Sequence, residues 1–482
     1  MRACLATLYT AILCASLTLR AQDREPYVRE TDPGVVQKLE QWQDLKFGLM
    51  LTWGPYSQRG VVESWSICAE DEPWCQRQGP DYVQYKKDYE NLRKTFNPVK
   101  FAPEKWAKAA RDAGIRYVVG MAKHHDGFCM FDTRTTDYRI TDTATPFSSN
   151  PRANILKEIF SAFRKEGLWT GIYFSKPDWH SEYYWWPYFP TPDRNPNYDI
   201  RKYPDRWQKF VSYTHAQIDE LMSGYGPVDI LWLDGGWVQS MTHDEVMKYV
   251  TGPDYKFSHI QSQDINMAGL VRQARARQPG LIVVDRAVAG KYQNYLTPEN
   301  TVPDTVLPYP WESCITATRS WSFTFEDSYK TGRELIHMLV DIVSKGGNLL
   351  LNIGPGPDGT WHDDAYDRLR QIGDWMNVNG EAIYGTRPIA PWKDGKVRLT
   401  SKKDGAVYAV YLGDADEENP PSSIRLSTLK PDPGATVTML GTREELKWES
   451  SGKGATIAIP SSVRKQGPCR YAWTIRISRI AK

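Results

Sequence analysis

Seven cysteines occur in 482 residues, and no two stand in Cys-x-x-Cys spacing. Neither a zinc ribbon nor a dithiol redox centre is therefore expected. No Gly-x-Gly-x-x-Gly loop follows the first strand-like run, and no Gly-x-x-x-x-Gly-Lys-Ser/Thr loop occurs anywhere, which leaves no signal for a nucleotide. Charge of one sign is also missing. Sixty Lys and Arg against 58 Asp and Glu leave a net +2, with no electrostatic footprint for nucleic acid or an anionic membrane. Beyond the N-terminus no apolar run is long enough to span a bilayer, and no internal repeat or low-complexity tract is present. Aromatic residues, by contrast, are plentiful. Nineteen Trp and 27 Tyr supply large core residues first, and rings able to stack on a planar or weakly polar ligand second.

The N-terminus begins "MRACLATLYTAILCASLTLRAQD". Arg2 supplies the charge, residues 5–19 the apolar stretch and Ala21 the small residue before a cut, so residues 1–21 read as a cleavable export signal. Leu13 before Cys14 is too large for a good lipoprotein site. Export would leave five cysteines, an odd number; Cys68 and Cys75 are near enough in sequence to bridge.

Strand-like runs occur at 46–53, 117–127, 169–179, 229–236, 281–288 and 347–356. Amphipathic segments at helical spacing lie between them, at 104–115, 154–168, 205–226 and 328–347, several ending on glycine. Such alternation predicts a buried parallel sheet. Polar residues gather at the strand C-termini: Lys123, His124 and His125; Asp178 and Trp179; Asp234; Asp285 and Arg286; Asn352. A (β/α) TIM-like barrel, possibly incomplete or irregular, brings these ends to one face, where its active site would lie. It is expected over residues 28–388. Residues 389–482 change to alternating β-branched and aromatic segments between Gly, Pro, Asp and Ser turns, which predicts a C-terminal antiparallel β-sandwich. That domain reads as a prop for the barrel, with carbohydrate binding as the alternative.

Three stretches could carry chemistry. "DILWLDGGW" (229–237) ends an apolar strand on Asp234, then two glycines that let a ligand pass close to the backbone; a helix cap is the competing reading. "KHHDGF" (123–128) offers two histidines, but adjacent strand residues face opposite ways and no third metal ligand is conveniently spaced. Hydrogen bonding to a polyol suits them better. "YLTPENTVPDTVLPYPWESC" (295–314) contains Glu299 and Glu312, either of which could be the second carboxylate of glycoside cleavage or a plain surface acid.

Taken together, "FGLMLTWGPYS", "AKHHDGF", "LWLDGGW", "DRA", "TPE", "WESC", "SWSF", "DIVSKGGNLLLNIGPGPDG" and "NGEAIYGT", in this order from Phe47 to Thr386, resemble the α-L-fucosidases of glycoside hydrolase family 29. The resemblance implies an irregular barrel with a β-sandwich, and retaining exo-hydrolysis of terminal α-L-fucosyl residues from oligosaccharides or glycoconjugates without a metal or other cofactor. It implies Asp234 as nucleophile and Glu299 as acid/base, with Glu312 as the alternative. His124, His125, Tyr173, Trp232 and Arg286 match sugar-contacting positions, and Trp53 and Trp321 are expected to line the pocket. One departure stands out: Thr52-Trp53-Gly54 replaces the usual His-Trp-Gly, and "AEDEPW" (69–74) does not follow the pattern nearby. Thr can donate and accept a hydrogen bond but does not reach as far as His. A related sugar such as an α-L-galactoside, or a catalytically silent sugar-binding protein, is therefore an alternative, and a metal-dependent hydrolase using His124 and His125 is a third.

Overall fold

The computed structural model describes residues 27–68, 79, 81–191, 193–252 and 259–481. The export segment, Cys75 and the acidic stretch 69–74 lie outside these residues.

Chain order begins with helix α1 (Pro33–Leu45), which starts where the Asp32 carboxylate accepts from the Gly34 and Val35 amides. Strand β1 (Phe47–Leu51) follows, then α2 (Tyr82–Glu90), α3 (Pro103–Asp112), β2 (Tyr117–Lys123), α4 (Ile155–Lys165), β3 (Trp169–Ser175), α5 (Pro204–Gly224) and β4 (Ile230–Asp234). After it come α6 (His243–Thr251), α7 (Met267–Arg277), β5 (Ile282–Asp285), β6 (Glu312–Thr316), α8 (Gly332–Ser344), β7 (Asn348–Asn352) and α9 (Asp363–Asn379). The strands form one parallel sheet in the order β5-β4-β3-β2-β1-β7-β6. Its two edges, β5 and β6, do not pair with each other. The extended segment 292–300 lies between them: the Asn294 amide donates to Val283 O, the Glu312 amide to Leu296 O, and the Asn300 amide to Cys314 O. Single bridges Val284–Gln293 and Glu299–Cys314 mark its two sides. This irregular stave closes the TIM-like barrel and carries Glu299.

Alternation along each strand sorts side chains between two cores. Met50, Tyr117, Val119, Tyr173, Ile230, Trp232, Ile282, Val284 and Leu350 fill the barrel, and Trp42 of α1 packs against this group, stacked on Tyr295. Leu49, Leu51, Val118, Ile172, Leu231, Leu233 and Leu349 point outward under the helices. Because Ile230 and Trp232 point inward, Asp234 does too.

A sixth sheet member, β6, escapes the hydrophobic pattern because Glu312, Ser313 and Thr316 make it polar; all its residues are nevertheless buried. The C-terminal part pairs β8 (Arg387–Asp394), β9 (Val397–Ser401), β10 (Val407–Leu412), β12 (Val437–Met439) and β15 (Ala472–Ile477) in one antiparallel sheet. A second sheet holds β11 (Ser423–Leu426), β13 (Trp448–Ser451) and β14 (Gly454–Ala458), and the two share an apolar core. This sandwich leans on α8 and α9. Arg398 pairs with Asp341, and the indole of Trp375, 1% exposed, donates to Ala472 O at 2.8 Å. Trp375→Ala removes both the buried ring and this bond. It is expected to destabilise the chain by about 3–5 kcal/mol, read as a lower urea midpoint; an unchanged midpoint would mean that this junction contributes nothing.

Candidate active site

Three strand ends turn sharply beside the site. Gly235, Ala287 and Asn300 have φ of 88°, 59° and 47°, so the residue after each of Asp234, Arg286 and Glu299 reverses the chain and leaves its neighbour at the rim of the barrel. The two glycines after Asp234 now have a reason. A Cβ on Gly235 would stand 2.4 Å from Pro177 Cδ, and one on Gly236 would stand 2.9 Å from Ala287 Cβ. The strand ends β3, β4 and β5 can close on one another only if both lack side chains.

Arg286 is the hub. Its Nη1 donates to Asp234 Oδ1 at 2.9 Å, and its Nη2 donates to Glu299 Oε2. The guanidinium carbon lies 5.4 Å from the Trp232 ring centroid. Asp234 Oδ2 accepts from the Tyr173 hydroxyl at 2.6 Å, and Glu299 Oε1 accepts from the Trp321 indole at 3.1 Å. Tyr173 stacks on Trp232 with centroids 5.3 Å apart. Burial alone would push the Asp234 carboxyl up. Arg286 first, then the Tyr173 bond and the Gly235 amide, outweigh it and hold the acid well below the usual carboxylate range. Asp234 is thus an ionised, oriented carboxylate.

The two histidines sit side by side, ring centroids 4.1 Å apart. His125 Nε2 stands 3.9 Å from Asp234 Oδ2. Burial pulls the His124 imidazolium down to about 4, against the attraction of Asp234. Burial, then the neighbouring His124, Arg194 and Arg286, pull His125 well below its ordinary value. Both rings are neutral at physiological pH. Among the described residues, His124, His125 and Asp234 form a group able to hold a metal, with one ligand atom from each inside 4.8 Å. Both oxygens of Asp234 already accept hydrogen bonds, and a cation there would face the Arg286 charge, so the donor set suits hydroxyl groups better.

The structure therefore brings together Asp234, Glu299, His124, His125, Tyr173, Trp232, Arg286 and Trp321. It does not bring Trp53 to the pocket. Trp53 shares the outward parity of Phe47, Leu49 and Leu51 and packs against Phe96, Phe101 and Trp106, its indole donating to Gly356 O. Thr52 has the inward parity instead, and its hydroxyl donates to Asn352 Oδ1 at 2.7 Å. Glu312 also departs from its alternative role as acid/base. It is buried inside the barrel, where it accepts from the Tyr117 hydroxyl at 2.5 Å and the Trp232 indole at 3.3 Å. Burial raises its carboxyl to about 7 against these bonds and that of Tyr295. It supports Trp232 from behind the site.

Sequence reasoning missed Glu63, Trp65 and Trp237. Trp65 and Trp237 each stand edge-on to His125 with centroids 5.2 Å away, and the Arg194 guanidinium lies 4.8 and 4.9 Å from their centroids. Glu63 is 2% exposed, has a φ of 23°, and its Oε1 meets no hydrogen-bond partner among the described residues. Burial first, then the charges of Glu299 and Asp234, raise its carboxyl well above the ordinary value. No signal in "RGVVESWSIC" marks it, because the connection after β1 has no periodicity. The negative potential of Asp234 and Glu299 thus favours the protonated form of Glu63.

Glu63 binds its proton more tightly in the folded chain than in the unfolded chain, where it titrates near 4.5. Folded-state stability therefore falls as pH rises above about 4.5. Glu63→Gln cannot ionise and is expected to raise Tm at pH 7, with the gain vanishing below about pH 4. A gain that is the same at every pH would contradict this reading of the carboxyl.

Known proteins resemble the chain in sequence and in fold. The family model described as alpha-L-fucosidase matches residues 14–381, and that of the alpha-L-fucosidase C-terminal domain matches residues 393–478. The chain is 31% identical over 470 residues to the plasma alpha-L-fucosidase of Homo sapiens, covering 92% of this chain and 91% of that one. It is 28% identical to the human tissue alpha-L-fucosidase, covering 96% and 94%. Among solved structures, alpha-L-fucosidase isoenzyme 1 from Paenibacillus thiaminolyticus superposes with a TM-score of 0.72 at 27% identity, covering 93% of this chain and 100% of that one.

Proposed function

The chain belongs to the α-L-fucosidase family of glycoside hydrolases, and from that premise we propose that Asp234 is its nucleophile and Glu299 its acid/base in exo-acting, retaining hydrolysis of terminal α-L-fucosyl residues. One observation carries the assignment: the two carboxylates are held on the two amino groups of one guanidinium. Acids sharing a guanidinium stand close together. That favours the roughly 5–5.5 Å spacing of retaining enzymes over the roughly 6.5–9.5 Å that an inverting enzyme keeps for its water.

The steps follow from the side chains. A fucoside enters with its anomeric carbon over Asp234. Ionised Asp234 attacks that carbon as protonated Glu299 gives its proton to the leaving oxygen. The glycosyl–aspartate bond forms while the glycosidic C–O bond breaks. Glu299, now a carboxylate, takes a proton from water, which attacks the same carbon and releases fucose with its configuration kept. Arg286 lies between the two acids and keeps Asp234 charged for the first step. Trp232 and Trp321 provide apolar walls suited to the methyl group of a deoxysugar.

The leading segment 1–21 supports a further part of this proposal, that the enzyme is exported and meets fucosylated glycans outside the cytoplasm; cell fractionation reads it directly. Among the described residues no helix is long and apolar enough to cross a membrane.

The test uses an aryl α-L-fucoside, with an aryl α-L-galactoside in parallel, and NMR of the first product formed. α-L-Fucose should appear before mutarotation, and β-L-fucose first would overturn retention. Asp234→Asn should reduce turnover to background with Tm retained. Glu299→Gln should lower kcat about 10²–10⁴-fold on a glycan. The loss should be smaller on an aryl fucoside whose leaving group needs no proton, and azide should restore turnover there. Normal activity in Asp234→Asn, or equal losses on both substrates in Glu299→Gln, would remove these assignments.

A further inference from the structure

Each neutral histidine of the site has one ring nitrogen on a serine, and the two serines are wired in opposite senses. Ser64 Oγ lies 2.5 Å from His124 Nδ1 and also receives the Asp126 amide N–H at 2.9 Å. A hydroxyl has one hydrogen. Among the described residues Ser64 has no other acceptor for it than His124 Nδ1. That nitrogen is therefore the lone-pair nitrogen, and the proton of His124 sits on Nε2. Ser175 Oγ lies 2.5 Å from His125 Nδ1 and 3.0 Å from Pro177 O. A carbonyl oxygen only accepts, so the Ser175 hydrogen goes to Pro177. His125 Nδ1 must then carry its own proton and donate it to Ser175, and its Nε2 is the lone-pair nitrogen.

We propose that Ser64 and Ser175 are positioning residues that fix His124 and His125 in opposite tautomers, so that the pair offers the sugar one N–H donor and one lone pair. A fucoside hydroxyl facing His125 must donate, and an oxygen facing His124 must accept. The pair reads the direction of a hydroxyl network as well as its shape. Replacing the hydroxyl at His125 by a methoxy group leaves an oxygen with nothing to donate. The same replacement at His124 keeps the acceptor.

The consequence for the sugar rests on the fucosidase reading, whereas the tautomers themselves are a property of the free protein. The full chain labelled with ¹⁵N-histidine is measured without ligand by two-bond ¹H–¹⁵N correlation near neutral pH. Eight histidines contribute, and His124→Asn and His125→Asn assign the two of interest. The expected spectrum has His124 protonated on Nε2 and His125 on Nδ1. The same tautomer in both, the reverse pair, or a doubly protonated ring would overturn the proposal, and none of these needs a serine variant to fold.

In the second arm, Ser64→Ala and Ser175→Ala are expected to lower kcat/KM for an aryl α-L-fucoside about tenfold each, the order of one hydrogen bond. Ser64→Thr and Ser175→Thr should restore it. Each alanine variant should change the tautomer signature of its own histidine alone. Loss of activity with both tautomers unchanged would assign the serines a structural role and sink the proposal. Opposite tautomers in a protein that does not cleave the fucoside would instead sink the fucosidase mechanism and leave the wiring standing.

Discussion

A single half-buried guanidinium, that of Arg286, holds the carboxyl groups of Asp234 and Glu299 in place. Taking Arg286 out of water is unfavourable, and Asp234 and Glu299 supply the compensating charge. The dependence runs both ways. The cation in turn favours the ionised form of Asp234 against its burial. Removing one member of such a set leaves the others uncompensated. The chain meets this constraint with backbone turns. Arg286 directly follows β5, Asp234 ends β4, and Glu299 rides on the irregular stave that fills the gap between β5 and β6. A regular eighth strand would alternate its side chains at a fixed pitch. The irregular segment can turn at Asn300 and present Glu299 to the guanidinium.

Around that hub lies a row of buried ion pairs. Lys176, just after β3, pairs with Asp285 at the end of β5 at 2.5 Å, while its amide donates to Asp234 O. The pair therefore brackets β4, whose last residue is Asp234. Lys123 at the end of β2 pairs with Asp178 beyond β3 at 2.7 Å, and both are essentially inaccessible. Buried pairs of this kind are weak evidence for stability, since well-packed apolar residues often do as well. Their directionality is what matters here. Each one ties the end of one strand to the end of another and limits how far the rim residues can drift. A second chain of contacts reaches Glu299 from the opposite side. Thr52 donates to Asn352, the Asn352 side chain donates to Trp321 O, and the Trp321 indole donates to Glu299. Thr52, which departs from the family's usual histidine, is thereby joined to the acid/base candidate through three hydrogen bonds.

Much of this could be read from the sequence, for a simple reason. In a buried parallel strand every second residue faces the barrel, so Asp234 at the end of "ILWLD" had to point the same way as Trp232. The same alternation explains an error. Trp53 lies two residues beyond Leu51 and keeps its outward parity, and the family resemblance had obscured that. Glu312 and Glu299 could not be told apart from spacing, because both sit near the sixth strand. They differ only in depth, with Glu312 inside the barrel and Glu299 on the closing stave. The sixth strand itself was hidden by polar residues whose partners lie elsewhere in the fold. Glu63 was out of reach altogether. It lies in the irregular stretch between β1 and α2, where no period locates a side chain, and its environment is set by which charges the fold places around it.

The neutrality of the histidines belongs to the same electrostatic design. Glycoside cleavage develops positive charge on the sugar ring, next to the attacking carboxylate. A protonated imidazole 3.9 Å from Asp234 would lower the negative potential where that charge appears. Burial keeps both rings uncharged. Asp234 is then countered by Arg286, which it shares with Glu299, and by dipoles: the Tyr173 hydroxyl and the Gly235 amide. Dipoles orient the carboxylate without cancelling its charge. The site can thus hold Asp234 ionised and still favour a cationic ring, a balance that a second formal cation beside Asp234 would upset.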